Sequence, residues 1–189
     1  NSITAAMVGN DLISGKDALT SSPDTTDEII LSDAGTLKRA DISVLGNAPA
    51  FKATSASSQS ITNASYTLVV VGTEVFDTDS AFSSNRFTVP SGEGGKYFFS
   101  AGVGTNSTID DNKRIILKLY KNVSQINDGH TDIRSPGANV TLAITLSTIL
   151  DLSATDYVEL YFYTSNSDSG VEIGGNTKTF FSGYKLIGI

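Results

Sequence analysis

The chain has 189 residues, of which 39% are hydrophobic and 17% charged, and its formal net charge is -7. It has no cysteine and one histidine, which excludes disulfide bonds, thiolate nucleophiles, cysteine-bound metals and histidine-rich metal sites within one chain. An acidic chain presents no overall basic field to nucleic acid, and no apolar run approaches the roughly 20 residues of a membrane-spanning helix. We therefore expect neither a nucleic-acid partner nor membrane insertion.

Residues 1–50 are predicted to form an N-terminal arm with a short hairpin. Glu28–Leu31 predicts a strand, the turn-forming segment Ser32–Gly35 follows, and Thr36–Asp41 predicts a return strand. Asp41–Gly46 is predicted to form one helical turn between an aspartate cap and a glycine stop. A unit this small buries too little apolar surface to fold alone, so we expect it to contact the next domain or other chains.

Residues 51–189 are predicted to form one all-β domain. Short runs rich in β-branched and aromatic residues are separated by polar turn clusters, a pattern that is typical of a β-sandwich or barrel. The predicted strands are Tyr66–Val71, Phe87–Val89, Tyr97–Val103, Arg114–Lys121, Asn139–Leu146, Tyr157–Tyr163 and Phe180–Ile189. The last strand is apolar and would fray at an edge, so we expect it in the middle of a sheet.

Four fragments of this second block resemble the C1q/TNF-like jelly-roll family. Phe51–Ala53 resembles its opening strand, and Phe87–Ser100 is similar to its pattern "F-x-V-P…G-x-Y-x-F-S". Leu152–Leu160 resembles "L-x-x-x-D-x-V-x-L", and Phe181–Leu186 resembles the closing "F-S-G-F-x-L". The resemblance implies a jelly-roll β-sandwich that assembles as a homotrimer and needs no cofactor. The chain differs from animal C1q proteins because it has no cysteine and no Gly-X-Y stalk.

The segment Asp27–Arg39 resembles one that recurs in tail-fibre and other structural proteins of bacteriophages. This resemblance implies a place in a virion, with residues 1–50 contacting other virion proteins. We therefore expect a non-enzymatic module, either a tail-fibre or a capsid-attached head domain, that binds a host-surface glycan or outer-membrane protein or caps an assembly. The alternative is a secreted C1q-like ligand-binding domain of cellular origin.

The strand Tyr157–Tyr163 predicts where copies of the chain meet. Tyr157, Tyr161 and Tyr163 fall on one side of the strand, and apolar residues fall on the other. Two such faces exceed what a monomer with a solvated outer sheet needs, and tyrosine is favoured at interfaces. These three tyrosines are therefore the predicted trimer interface.

Four polar spans are predicted to be ligand-contact loops: 77–86, 104–112, 124–138 and 164–178. The candidate contact residues within them are Asp110, Asp111, Asp128, His130 and Asp132.

No catalytic residue is predicted, since a single polar-loop histidine without a Gly-x-Ser-x-Gly elbow does not indicate nucleophilic catalysis. Asp77 and Asp79 are the candidate start of a calcium site, because calcium takes six to eight oxygen ligands from flexible loops. No stretch of the sequence matches an EF-hand loop, and aspartate also favours turns.

Overall fold

The computed structural model describes residues 20–21, 23–24, 26–42, 46, 48–137, 140–165 and 171–187, without the side chains at 127, 128, 176 and 177. Internal contacts divide the chain into two units, Asn1–Gly46 and Asn47–Ile189. The predicted boundary after residue 50 lies close to this division.

The first unit contains the hairpin that the sequence predicts. Strands β1 (Glu28–Asp33) and β2 (Thr36–Asp41) pair antiparallel from Glu28 opposite Asp41 to Asp33 opposite Thr36. Ala34 and Gly35 form the turn with φ of 48° and 84°, and a two-residue hairpin loop with positive φ at both positions matches the twist of its strands. The helical turn was predicted over Asp41–Gly46; Asp41 is the last residue of β2, and Ser43–Leu45 lie outside the described residues.

The second unit is a sandwich of two antiparallel sheets. The five-stranded sheet has the order β12-β9-β15-β3-β6; the other has the order β11-β10-β13-β8-β7, with β5 paired to β13 as its sixth strand. A further pair joins β14 to β4. The strand bounds are β3 (Ala50–Ser55), β4 (Gln59–Ile61), β5 (Thr67–Leu68), β6 (Thr73–Asp77), β7 (Phe82–Ser83), β8 (Arg86–Thr88), β9 (Gly95–Gly104), β10 (Arg114–Lys121), β11 (Ser124–Arg134), β12 (Ala143–Leu152), β13 (Tyr157–Thr164), β14 (Val171–Ile173) and β15 (Asn176–Lys185).

The core lies between the two sheets and is built around aromatic rings. Phe51 stacks on Phe82 at 4.8 Å and on Phe87 at 5.0 Å, and it meets Phe181 edge-on at 5.0 Å between ring centroids. Each of these rings is at most 3% exposed, and full burial of such a side chain stabilises a fold by about 1.5–3 kcal/mol. The C-terminal strand β15 lies between β9 and β3, which confirms its expected central position.

One predicted loop is wrong over most of its length, because residues 124–134 form strand β11 at the edge of the six-stranded sheet. Asp128, His130 and Asp132 therefore lie on a strand. Ile126 and Ile133 both pack against the core, although residues seven positions apart on a regular strand point to opposite sides. A register shift opposite Lys118 and Tyr120 reverses the alternation between them, as a β-bulge does, and this hides the strand from a simple period-two pattern.

The predicted strand Tyr66–Val71 pairs with β13 at Thr67–Leu68, and the Val69 N–H still donates to the Leu160 carbonyl at 2.8 Å. Beyond that point, the Val70 N–H donates to Gln59 Oε1 at 2.9 Å and the Val71 N–H to Asn85 Oδ1 at 2.9 Å. Side-chain amides thus replace the strand ladder and satisfy backbone groups that burial would otherwise leave unpaired.

Candidate functional site

Five tyrosines lie on the outer side of the six-stranded sheet, which we call the tyrosine face: Tyr66, Tyr120, Tyr157, Tyr161 and Tyr163. The ring centroids are 4.1 Å apart for Tyr120 and Tyr161, 5.1 Å for Tyr66 and Tyr163, and 6.0 Å for Tyr66 and Tyr120. All five are half-buried, so each ring keeps some accessible surface.

The alternation predicted for β13 is present in the structure. Tyr157, Tyr161 and Tyr163 share the outer side, whereas Val158, Leu160 and Phe162 are 0% exposed in the core. Tyr66 and Tyr120 were not predicted from the sequence to lie on this face. The alternation along β10 indicates that Tyr120 and Lys118 point to the same side of the strand. Only the pairing of β10 with β13 shows that this side is the one that carries the tyrosines of β13.

Two carboxylates on the tyrosine face are paired with arginines. Arg86 donates from Nη2 and Nε to Glu159 Oε1 at 2.6 and 2.9 Å, and its guanidinium lies 3.8 Å above the Tyr157 ring. Arg114 Nε donates to Asp132 Oδ1 at 2.8 Å. The hydrogen bond from Arg114 lowers the pKa of Asp132, and the hydrogen bond to Glu159 raises the pKa of Arg86.

Two cations on this face have neutral acceptors instead. Lys118 is 9% exposed and donates from Nζ to Gln125 Oε1 at 2.8 Å. Arg134 lies directly across from Arg114 on the neighbouring strand and donates from Nη1 to the Asn112 carbonyl at 3.1 Å. An ammonium carries three N–H donors and a guanidinium five, so both groups have donors left for a further acceptor.

Burial raises the pKa of Tyr66, Tyr120 and Tyr161 above the usual value. The unperturbed value is already about 10, so these hydroxyl groups stay protonated at neutral pH. The tyrosine face therefore presents neutral hydroxyl groups beside its cations.

The outer side of the five-stranded sheet has a different chemistry. Three cross-strand rows run over β12, β9 and β15, and we call them the uncharged face: Ile149, Phe98 and Tyr184; Ser147, Ser100 and Ser182; Thr145, Gly102 and Phe180. Ile149 is 55% exposed and Tyr184 37%.

Gly102 lets the Phe180 ring lie flat on this face, since a Cβ built at Gly102 would come within 2.5 Å of that ring. A shallow cavity of about 380 Å³ opens beside Phe180, with Lys178 on its wall. The three rows thus combine apolar and aromatic side chains with serines and a threonine and carry no formal charge. The exposed Lys52 lies directly across from Ser182 on β3, at the border of these rows.

The candidate calcium residues act inside a loop. Asp77 accepts backbone N–H bonds from Ala81 at 3.0 Å and Phe82 at 2.8 Å, and Thr78 donates its hydroxyl to Asp79 at 2.5 Å. Asp77 therefore holds the connection between β6 and β7. No cluster of three or more His, Cys, Asp or Glu within the described ranges suits a metal ion.

The remaining candidate ligand-contact residues do not lie together in one place. Asp110 and Asp111 lie in the connection between β9 and β10, as predicted for 104–112. Asp132 joins the tyrosine face through Arg114, and His130 lies across from Lys118, while the side chain of Asp128 lies outside the described residues. The span 164–178 contains β14 and the start of β15, and its residues 166–170 are also outside that set. Their roles in ligand contact stay predictions.

Comparison with known proteins reports on the fold. No protein-family model matches the chain, and no curated protein matches it. Among solved structures, the chain is similar to the globular domain of zebrafish complement 1qA protein, with a TM-score of 0.53 and 15% sequence identity over 73% of this chain and 97% of that one. The predicted all-β, C1q-like jelly-roll sandwich is confirmed. In the part of the chain that the structure describes, no helix has the length and apolar character needed to cross a membrane.

Proposed function

We propose that this chain is a non-enzymatic module of a virion that assembles as a homotrimer and binds a ligand on a host surface or caps a virion assembly. The observation that carries the assembly part is the uncharged face, which leaves Ile149 and Tyr184 largely open to solvent beside Phe98. The core of a protein interface is depleted in charge and enriched in aromatic residues, and this surface has both properties.

The sequence analysis places the trimer interface at Tyr157, Tyr161 and Tyr163, and that placement stays a prediction. The uncharged face suits self-association better for two reasons. The tyrosines are already half-buried by their own neighbours, and the tyrosine face carries two more cations than carboxylates among the described side chains, since Lys118 and Arg134 hydrogen-bond to neutral acceptors and Asp132 is bonded to Arg114. Three copies that met there would bring like charges together, which is unfavourable.

The hairpin supports a contact with other virion proteins. Ile30 is 78% and Leu37 76% exposed, and their register places both side chains on the same side of the two strands. An isolated two-stranded hairpin is marginally stable in water, so a partner surface is expected to cover this side. The resemblance of Asp27–Arg39 to bacteriophage structural proteins supports a virion protein as that partner.

Light scattering on the purified chain tests the assembly. We expect a molar mass about three times the 19.8 kDa of one chain. Ile149→Asp is expected to yield monomers, because it buries an unpaired charge at the interface. Val123→Asp is the matched control, since Val123 is 75% exposed in the turn between β10 and β11, and it is expected to remain trimeric.

The same measurement separates the two candidate interfaces. If Tyr163→Asp yields monomers while Ile149→Asp remains a trimer, the interface lies on the tyrosines. A wild-type chain that stays a folded monomer when concentrated overturns the assembly part of the proposal.

A secreted ligand-binding domain of cellular origin is the second candidate, because the solved structure reported above is a vertebrate complement domain. The sequence that flanks this chain in its genome discriminates the two. Tail or shaft repeats support the virion, and a signal peptide supports secretion.

A further inference from the structure

The tyrosine face offers apolar ring surface on a rigid support. The rings of Tyr66, Tyr120, Tyr161 and Tyr163 form one continuous cluster. The strands that carry most of these rings turn their other side into the core, where Leu160 is 0% exposed. A tyrosine presents an apolar body and a polar tip, which matches a sugar ring with C–H groups on its flat side and hydroxyl groups at its rim.

The charges of the tyrosine face are complementary to an anionic ligand. Arg86 and Arg114 are balanced by Glu159 and Asp132. Among the side chains described on this face, Lys118 and Arg134 are then left as a positive surplus, although the whole chain has a net charge of -7. Complementary charge guides a partner to its site and suppresses wrong partners.

Lys118 is the centre of this surplus. It lies opposite Tyr161 on β13, it is 9% exposed, and its only hydrogen bond within the described residues goes to the neutral amide oxygen of Gln125. A buried cation is costly unless it is paired. A carboxylate that settles among the tyrosines would complete its bonding.

We propose that the tyrosine face binds an acidic polysaccharide, with sugar rings packed on Tyr66, Tyr120, Tyr161 and Tyr163 and sugar carboxylates held by Lys118 and Arg134. The two cations are separated along the sheet, since Arg134 pairs with Arg114 and β10 advances roughly 13 Å from Arg114 to Lys118. That separation suits a polymer with repeated carboxylates better than a small anion. The inference rests on the ligand-binding part of the proposed function and is independent of the trimer.

The test uses the full chain and three polymers. Polygalacturonate supplies sugar rings with carboxylates, dextran supplies neutral sugar rings, and poly-glutamate supplies carboxylates without sugar. Biolayer interferometry is expected to show polygalacturonate binding that is about tenfold tighter than binding of either other polymer and that weakens as salt is added.

Two variants tie the binding to this face. Tyr161→Ala removes a ring from the centre of the cluster, and Arg134→Ala removes an exposed cation whose loss leaves the core untouched. Each is expected to weaken polygalacturonate binding about tenfold. Arg39→Ala, which removes an exposed arginine from the hairpin, is the control and is expected to bind as the wild type does. If Tyr161→Ala does not fold, Arg134→Ala decides the question.

The outcomes are distinct. Equal binding of dextran overturns the role of the cations, equal binding of poly-glutamate overturns the role of the rings, and no binding of polygalacturonate overturns the site. Light scattering on the same samples keeps the two proposals apart. A trimer that ignores polygalacturonate refutes only this inference, and a monomer that binds it refutes only the assembly.

Discussion

The outer faces of the two sheets show how one architecture supports two kinds of surface. The strands of both sheets turn alternate residues into a shared aromatic core, and the difference lies only in the residues that point outward. The uncharged face combines Ile149, Phe98 and Tyr184 with serines and a glycine. The tyrosine face combines half-buried rings with two ion pairs and two cations held by neutral acceptors.

The difference between the two faces bears on which kind of partner each face can bind. An uncharged apolar area is stabilised by any contact that removes it from water, and a second copy of the same surface is always available. A face with buried cations and hydroxyl groups gains from a partner only if that partner supplies acceptors in the right places. We therefore assign self-association to the first face and ligand binding to the second.

The largest effect is expected where the tyrosine face holds a buried carboxylate. Arg86→Met leaves Glu159, whose side chain is 6% exposed, without its cation, and breaking such a pair is expected to lower the free energy of unfolding by about 3 kcal/mol. Urea denaturation measures the change. Arg86→Met combined with Glu159→Leu is expected to recover most of the loss, because no unpaired charge then remains. A single variant as stable as the wild type would show that water solvates Glu159.

The two sides of the five-stranded sheet differ in how they respond to an added methyl group. A Cβ at Gly183 would lie 2.6 Å from the Phe99 ring in the core, and one at Gly102 would lie 2.5 Å from the Phe180 ring on the uncharged face. Phe99 is 0% exposed and cannot move, whereas Phe180 is half-buried and can swing outward.

Gly183→Ala is therefore expected to lower the free energy of unfolding by about 2 kcal/mol, and Gly102→Ala by less than about 1 kcal/mol. Thermal denaturation of both variants measures the difference. Gly137→Ala is the control, since nothing lies within 4 Å of a Cβ at that position. Equal losses at Gly183 and Gly102 would mean that Phe180 is as firmly held as the core.

A smaller effect than at Glu159 or Gly183 is expected at the turn that links the two sheets between β12 and β13. Asp156 accepts hydrogen bonds from Lys121 at 2.8 Å, from the Ser153 N–H at 2.8 Å and from Asn122 at 2.6 Å, and these lower its pKa to about 2 from 3.8. A lowered native pKa means that the stabilisation is complete above the unfolded value of 3.8 and disappears as the pH falls through about 2.

Asp156→Asn is therefore expected to lower the free energy of unfolding by about 1 kcal/mol at pH 7 and to match the wild type near pH 2. Urea midpoints across this pH range provide the measurement. Asp111→Asn removes the same charge from an exposed loop and is expected to change stability little. A loss at Asp156 that did not vary with pH would point to lost hydrogen bonds in place of the charge.

Much of the fold could be predicted from particular strands. The bounds of β10 agree with the prediction at both ends, and β13 extends the predicted strand by one residue. The sequence of β13 alternates along its length, whereas β10 combines the apolar run Ile115–Leu117 with alternation over its second half. The strand β12 was predicted at Asn139–Leu146 and is found at Ala143–Leu152. Its second half carries polar Thr148 on the core side and apolar Ile149 on the exposed side, which weaken the pattern without preventing backbone pairing.

The rest could not be predicted because it depends on residues far away in the chain. The segment leaves the sheet after Val69, since Gln59 and Asn85 supply acceptors for the N–H groups of Val70 and Val71. Strand β11 was missed because a shift in its pairing with β10 brings Ile126 and Ile133 to the same side. Neither the end of this pairing nor the shift in β11 can be predicted from the residues next to it in the sequence.

The order of residues along a strand is enough to show which of them share a side, because successive side chains of an extended backbone point in opposite directions. It could therefore separate Tyr157, Tyr161 and Tyr163 from the core. Only the tertiary structure decided that β10 lies beside β13 and that Tyr66 and Tyr120 complete the cluster. Strand neighbours are selected by the burial of both sheets together, and that selection is a property of the whole domain.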